Sequence, residues 1–136
     1  MILIADSGSS KTDWRVISHD NKVHQTRTVG FNPYYQTKED MELGLQTPDL
    51  LSWKDIIQEV YFYGSGCTSE ANKETVKNAI NSIYQNAKVY VDHDLMASAR
   101  ATCGHEAGIA CILGTGSNSG DYDGEKITDS RPSPGY

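Results

Sequence analysis

The chain opens Met1-Ile2-Leu3-Ile4-Ala5-Asp6-Ser7-Gly8-Ser9-Ser10-Lys11-Thr12-Asp13-Trp14. The short apolar run of residues 2–5 ends in a carboxylate and a string of small hydroxylated residues, and its bounds predict a buried strand. Trp14, Val16 and Ile17 predict a second strand. After the polar turn His19-Asp20-Asn21-Lys22, residues 23–29 predict a third, more polar strand suited to an edge. Three strands so connected form an antiparallel meander. The link from Ser7 to Thr12 reads as too long and too rich in small residues for a plain hairpin turn. Small residues let backbone N–H groups point at one anion without obstruction, hydroxyls add donors, and Lys11 adds a positive charge. Asp6, at the loop entrance, suits a Mg²⁺ ion held directly or through water. The spacing is not that of the Gly-x-x-x-x-Gly-Lys-Ser/Thr phosphate loop.

Farther along, Gly30-Phe31-Asn32-Pro33-Tyr34-Tyr35 reads as a loop, since Asn before Pro favours extended or turn backbone. Residues 37–45 carry Met41, Leu43 and Leu45 behind a capping Thr37 and predict a short helix, and residues 52–59 a second helical turn. Residues 59–63 predict a strand that ends in Gly64-Ser65-Gly66-Cys67. Thr68 or Ser69 then caps a helix reaching to about Gln85, whose apolar set (Ala71, Val76, Ala79, Ile80, Ile83, Tyr84) keeps a 3.6-residue period. Residues 87–91 form the next strand, ending in Asp92-His93-Asp94, and residues 95–103 a small-residue helix. Residues 108–113 predict a buried strand that runs into the loop Gly114-Thr115-Gly116-Ser117-Asn118-Ser119-Gly120. A hairpin turned at Asp123-Gly124 follows. Strands alternating with helices imply an α/β fold with a mixed sheet covered on both faces. Ligands of such sheets sit at strand ends where polar loops converge.

Composition narrows the function. The 136 residues are 38% hydrophobic and 22% charged, a globular balance that suits one domain or one plus part of another. Eighteen acidic against 12 basic residues give a net charge of −6, and no basic block is present, which argues against nucleic acid. No run approaches the ~18 apolar residues needed to span a bilayer, and no basic segment precedes the first apolar run as in a signal peptide. Cys67, Cys103 and Cys111 lack metal-type spacing and read as neutral thiols of a reducing cytosol. His19, His24 and His105 lie on separate turns and offer His93 no ligand partners.

Five segments in order (ILIADSGSSKTDWRVI, the GFNP turn, YGSGC, VYVDHDLMASARA and ACILGTGSNSG) resemble the sugar kinase/heat-shock ATPase/actin superfamily. The chain looks most like its N-acetylglucosamine kinase branch, in the family of BadF/BadG-type ATPases. The resemblance covers Ile2 to about Gly120. It implies a ribonuclease H-like mixed sheet: three antiparallel strands, then alternating helices and strands, with a first domain over residues 1–106. Residues 107–136 would be the first strands of a second, similar domain.

By the same resemblance the cofactors are ATP and Mg²⁺ and the partner is a small-molecule amino sugar. Asp6 would organise the metal. Gly8, Ser9, Ser10, Lys11 and Thr12, with Gly114, Thr115, Gly116 and Ser117, would hold the phosphates. Asn32, Ser65, Gly66, Asp94, Thr115, Gly116 and Asn118 would hold the sugar, and Asp94 would be the general base. The chemistry is coherent. Phosphoryl transfer needs positioning and charge neutralisation, and a carboxylate orients a weakly nucleophilic hydroxyl and takes its proton. Phe31, Tyr34 or Tyr35 could supply an aromatic wall. Against these roles stand plainer ones: Asp94 as a helix cap, Asp92 as a structural carboxylate, Lys11 as a solvated cation.

Two other functions fit the same segments: an ATPase activating a partner enzyme, and a sugar-binding module without turnover. Family members are longer, with two domains facing across a cleft. The chain therefore reads as the N-terminal fragment of a cytoplasmic kinase, inactive alone and prone to pair with itself as a homodimer.

Overall fold

The computed structural model describes residues 1–114 and 117–132, and the chain divides into two compact units, Met1–His93 and Asp94 onward. In the first unit β1 (Ile2–Ser7), β2 (Lys11–Ile17) and β3 (Val23–Val29) form the expected antiparallel meander. β4 (Glu59–Gly64) and β5 (Lys88–His93) add in parallel on the other side of β1. The order is β3-β2-β1-β4-β5, so β1 is central and its C-terminal end lies beside those of β4 and β5.

Side chains alternate across a strand. Leu3 and Ala5 of β1, Trp14 and Val16 of β2, and Val60 and Phe62 of β4 all turn to one face and are buried. Against that face pack Met41 of α1 (Lys38–Gly44), Leu50 of α2 (Pro48–Ser52), and Val76, Ala79 and Ile80 of α3 (Glu70–Asn81). Trp14, Phe31 and Phe62 interlock at its centre with ring centroids 5.9, 6.1 and 6.2 Å apart. Tyr84 is fully buried and donates its hydroxyl to Leu50 O at 2.8 Å; burial pushes its phenol pKa up.

The helix starts follow local chemistry. Thr37 and Asp40 form a reciprocal capping box before α1. Thr47 caps α2, with Pro48 in its first turn, where a missing N–H costs nothing. Ser69, not Thr68, caps α3 by accepting Asn72 N–H. The second helical segment lies at Pro48–Ser52 rather than 52–59, because the Thr47-Pro48 start decides it. α3 ends at Asn81, and residues up to Tyr84 continue as turns.

One expectation is corrected. The link between β1 and β2 is a tight hairpin: Ser7 pairs with Thr12, and Gly8 N–H donates to Lys11 O at 2.9 Å, leaving Ser9 and Ser10 as the tip. Small residues let the strands pair almost to the turn. Within the first unit α1, α2 and α3 all join one cluster on one face of the sheet. On the opposite face Tyr61 stacks on Tyr90 at 4.9 Å, and Tyr90 remains 49% exposed. In β2 the buried Trp14 and Val16 alternate with Lys11, Asp13 and Arg15, and in β1 Leu3 and Ala5 are buried while Ile2 is exposed.

In the second unit α4 (Asp94–Cys103) packs on an antiparallel sheet of β6 (Gly108–Leu113), β7 (Ser117–Tyr122) and β8 (Ile127–Pro132). The sequence draws its boundary after residue 106. By packing, α4 groups with these later strands. The turn falls where Asp123-Gly124 predicts it: Asp123 accepts the amides of Glu125 (2.9 Å) and Lys126 (2.8 Å), and Gly124 has φ of +101°. The segment expected as a loop from Gly114 to Gly120 is shorter, because Ser117–Tyr122 is already strand, with Ser117 opposite Leu113.

Candidate functional site

The inward row of β1 and β2 is apolar through Leu3–Val16 and Ala5–Trp14, then ends in a rung of two hydroxyls. Ser7 and Thr12 are both fully buried, with Oγ and Oγ1 2.7 Å apart. Thr12 Oγ1 donates to Val29 O (2.9 Å), and Ser7 Oγ accepts Phe31 N–H (3.0 Å). One proton arrangement satisfies every group: Phe31 N–H to Ser7, Ser7 to Thr12, Thr12 to Val29 O. Thr12's hydroxyl is thus committed inside the sheet.

The tip residues Gly8, Ser9 and Ser10 are exposed, and a Cβ on Gly8 would meet nothing closer than Lys11 O at 3.8 Å. This is an uncluttered turn, suited to an anion. Lys11 is 3.3 Å from Asp13, which also takes a 2.7 Å bond from Arg27 Nε. The Arg27 bond, helped by Lys11, holds the Asp13 carboxyl below the usual carboxylate range. Asp6 is exposed and stands directly opposite Asp13 in register. Among the described residues no group of three or more His, Cys, Asp or Glu side chains gathers as a metal cage. A carboxylate beside an exposed turn of small residues fits Mg²⁺, which keeps several waters and is bound through one or two carboxylates plus substrate phosphates. Asp6 is the residue that would hold it.

The second cluster forms where the turn after β3 meets the turn after β4. A Cβ on Gly30 would lie 2.6 Å from Ser9 O, so Gly30 lets the chain cross directly under the hairpin. Phe31 is 1% exposed and belongs to the aromatic core, so it is not an aromatic wall. Asn32 Oδ1 accepts Tyr34 N–H (3.0 Å), leaving its amide NH₂ as the group to offer a ligand. Asn32 Oδ1 and the Tyr34 ring border Gly66, whose φ is +79°. Tyr34 Oη is 2.9 Å from Thr68 Oγ1, tying the two turns, whereas Tyr35 is 87% exposed. Ser65 N–H donates to Ser7 O (2.9 Å), yet Ser65 Oγ is a buried oxygen without a partner among the described residues. The structure therefore brings Asn32, Ser65 and Gly66 together next to the hairpin of residues 8–11.

The strand end Asp92-His93 is held within the first unit by Lys73, 3.2 Å from Asp92, which supports a structural role for that carboxylate. In the second unit Asp94 opens α4, and Leu95 N–H donates to its Oδ1 at 2.9 Å. A helix cap would accept from a residue two or three further on, so this bond is not the capping pattern. Asn118, near the start of β7, carries a buried Oδ1 without a partner among the described residues. Ser117 opens β7, and Gly114 is exposed just past β6. Thr115 and Gly116 lie outside the described residues.

Sequence reasoning missed Ser7 and Gly30. A serine on the inward side of an apolar alternation was the signal for the first. A glycine ending a polar strand was the signal for the second, though its meaning depends on which backbone crosses it.

The meander, the parallel β4 and β5, and the hairpin at the end of β1 define an actin-like, ribonuclease H-like ATPase fold. Within that fold the resemblance to the N-acetylglucosamine kinase branch holds. The chain is 39% identical to the Putative N-acetylglucosamine Kinase of Porphyromonas gingivalis, with a TM-score of 0.90 over 96% of this chain and 47% of that one. The ethanolamine utilization protein EutJ of Carboxydothermus hydrogenoformans is 12% identical, with a TM-score of 0.58 over 97% of this chain and 51% of that one, a likeness of fold alone. The chain thus spans about half the length of these solved structures. No protein-family model and no curated protein matches the sequence. Among the described residues no helix is long and apolar enough to cross a membrane.

Proposed function

We propose that this chain carries the acceptor and phosphate sites of an ATP-dependent kinase acting on N-acetylglucosamine or a related amino sugar. The observation that carries this reading is Ser65 Oγ, buried beside Asn32 and Gly66 and unpartnered among the described residues. An orphaned buried hydroxyl costs stability, and a polyhydroxyl ligand would satisfy it. Asn118 Oδ1, equally orphaned, supports the same chemistry in the second unit.

ATP with Mg²⁺ would supply the transferable phosphoryl group and neutralise its charge. Asp6 would hold the metal, and the exposed turn at Gly8, Ser9 and Ser10 would point amides and hydroxyls at the phosphates. By the family resemblance Gly114, Thr115, Gly116 and Ser117 would also contribute to phosphate binding. Asn32 would donate its amide to a sugar oxygen, while Ser65 and Asn118 would pair with hydroxyls. Asp94 would orient the acceptor hydroxyl and take its proton as the new O–P bond forms and the bond to ADP breaks. Such a reaction suits a cytoplasmic setting.

The test is ADP release with a panel of amino sugars and hexoses, run on the 136-residue chain and on the uninterrupted reading frame that contains it. Release that depends on an amino sugar supports the proposal. Release independent of any sugar overturns it in favour of an ATPase.

A further inference from the structure

Within the first unit Ser7 is a junction for three segments. Its carbonyl accepts Ser65 N–H at 2.9 Å, its hydroxyl accepts Phe31 N–H at 3.0 Å, and the same hydroxyl bonds Thr12 Oγ1 at 2.7 Å. These segments are the turn with Ser65 and Gly66, the turn with Asn32, and the hairpin with Ser9 and Ser10. The relay ends on Val29 O, at the root of the Asn32 turn. Gly30 supports the same junction, since its Cα passes against the Ser9 carbonyl with no room for a side chain.

Position 7 is fully buried on a face whose other rungs are apolar. An alanine there would be at home but for the Phe31 amide, which would lose its acceptor. The hydroxyl pair instead fixes how far the Asn32 turn stands from the hairpin, by two short bonds through groups with no rotational slack in a close-packed interior.

We propose that Ser7, acting through Thr12, is a positioning residue that registers the acceptor-sugar turn against the phosphate hairpin; this rests on the kinase reading above. It touches neither ligand. Each turn keeps its own contacts without it: Asn32 its bond from Tyr34, and Gly66 its bond from Asn72 Nδ2 (2.8 Å). Loss of the relay should therefore leave the two binding events intact and misplace one relative to the other. Misplacement near 1 Å costs phosphoryl transfer on the order of 10²-fold.

The experiment compares wild type, Ser7→Ala, Thr12→Val and the double variant in the full reading frame. It measures kcat, the KM of amino sugar and of ATP, and the thermal midpoint. The expected result is a kcat lowered about 10²-fold in Ser7→Ala with both KM values within about threefold, at a temperature where every variant is folded. The double variant should match the single ones, because one relay is broken once. An active wild type whose Ser7→Ala keeps its kcat overturns the positioning role alone. So does a loss of kcat that adds across the two sites, or one that tracks only the folded fraction. A wild type that releases no ADP with any sugar overturns the kinase reading and the positioning role with it.

Discussion

Asn32 and Gly66 compete for one small space: a Cβ on Gly66 would stand 2.5 Å from Asn32 Oδ1 and 3.0 Å from Cδ2 of Tyr34. Gly66 also has φ of +79°, a region that costs an L side chain of order 1–3 kcal/mol. Gly66→Ala is expected to destabilise the first unit by about that amount and to push Asn32 out of its place. Urea unfolding reads the first effect and amino-sugar affinity the second.

Gly30 offers a sharper case. A new Cβ would meet backbone at 2.6 Å, and backbone cannot swing aside as a side chain does. Gly30→Ala is expected to cost about 1–3 kcal/mol, as overpacking does, and to shift the hairpin of residues 8–11. Urea unfolding gives the loss, and amide shifts of Ser9 and Ser10 show the displacement.

Ser65→Ala should separate stability from binding. Its Oγ is buried and unpaired among the described residues, so removing it relieves a desolvation penalty of about 1–3 kcal/mol. The variant is expected to be as stable as wild type or more so, and to bind the amino sugar at least about tenfold more weakly. A denaturation curve and a calorimetric titration check both arms. A Ser65→Ala protein with unchanged affinity would remove Ser65 from the acceptor site.

Asp94→Asn keeps the shape and the bond from Leu95 N–H while removing the carboxylate proposed as the base. The expected loss in kcat is about 10²-fold or more, with little change in sugar affinity. Single-turnover measurement of ADP formation is the check. A KM effect alone would make Asp94 a binding residue.

Acid should loosen two local structures. The Asp40 carboxyl is held low, first by Thr37 N–H and then by the Thr37 hydroxyl, and that of Asp123 by Lys126 N–H and then Glu125 N–H. Both folded pKa values lie below the unfolded value of about 3.9. The stabilisation is therefore fully present above that value and is lost as pH falls through the folded pKa. The start of α1 and the β7–β8 turn should become more labile below about pH 4, as read by amide protection. Asp40→Asn should blunt the acid response of α1 and leave that of the β7–β8 turn unchanged.

Much of this protein could be read from the chain by itself, because it rests on local chemistry. The apolar run of β1, the Thr37 and Ser69 caps, the 3.6-residue stripe of Val76, Ala79 and Ile80, and the Asp123-Gly124 turn each follow from a few neighbouring residues. The Gly- and Ser-rich loops that end the strands read as suited to phosphate in the same way, whereas the sugar is what the family resemblance implies. Pairing partners decided the rest. Ser7 and Thr12 look like loop hydroxyls until the β1–β2 register brings them face to face and β3 supplies Val29 O. Phe31 looks like a ligand platform until Trp14 and Phe62 enclose it. Gly30 has no meaning until the hairpin passes over it. Hydrogen bonds and close packing between residues distant in sequence depend on which backbone arrives alongside, and the tertiary structure alone decides that.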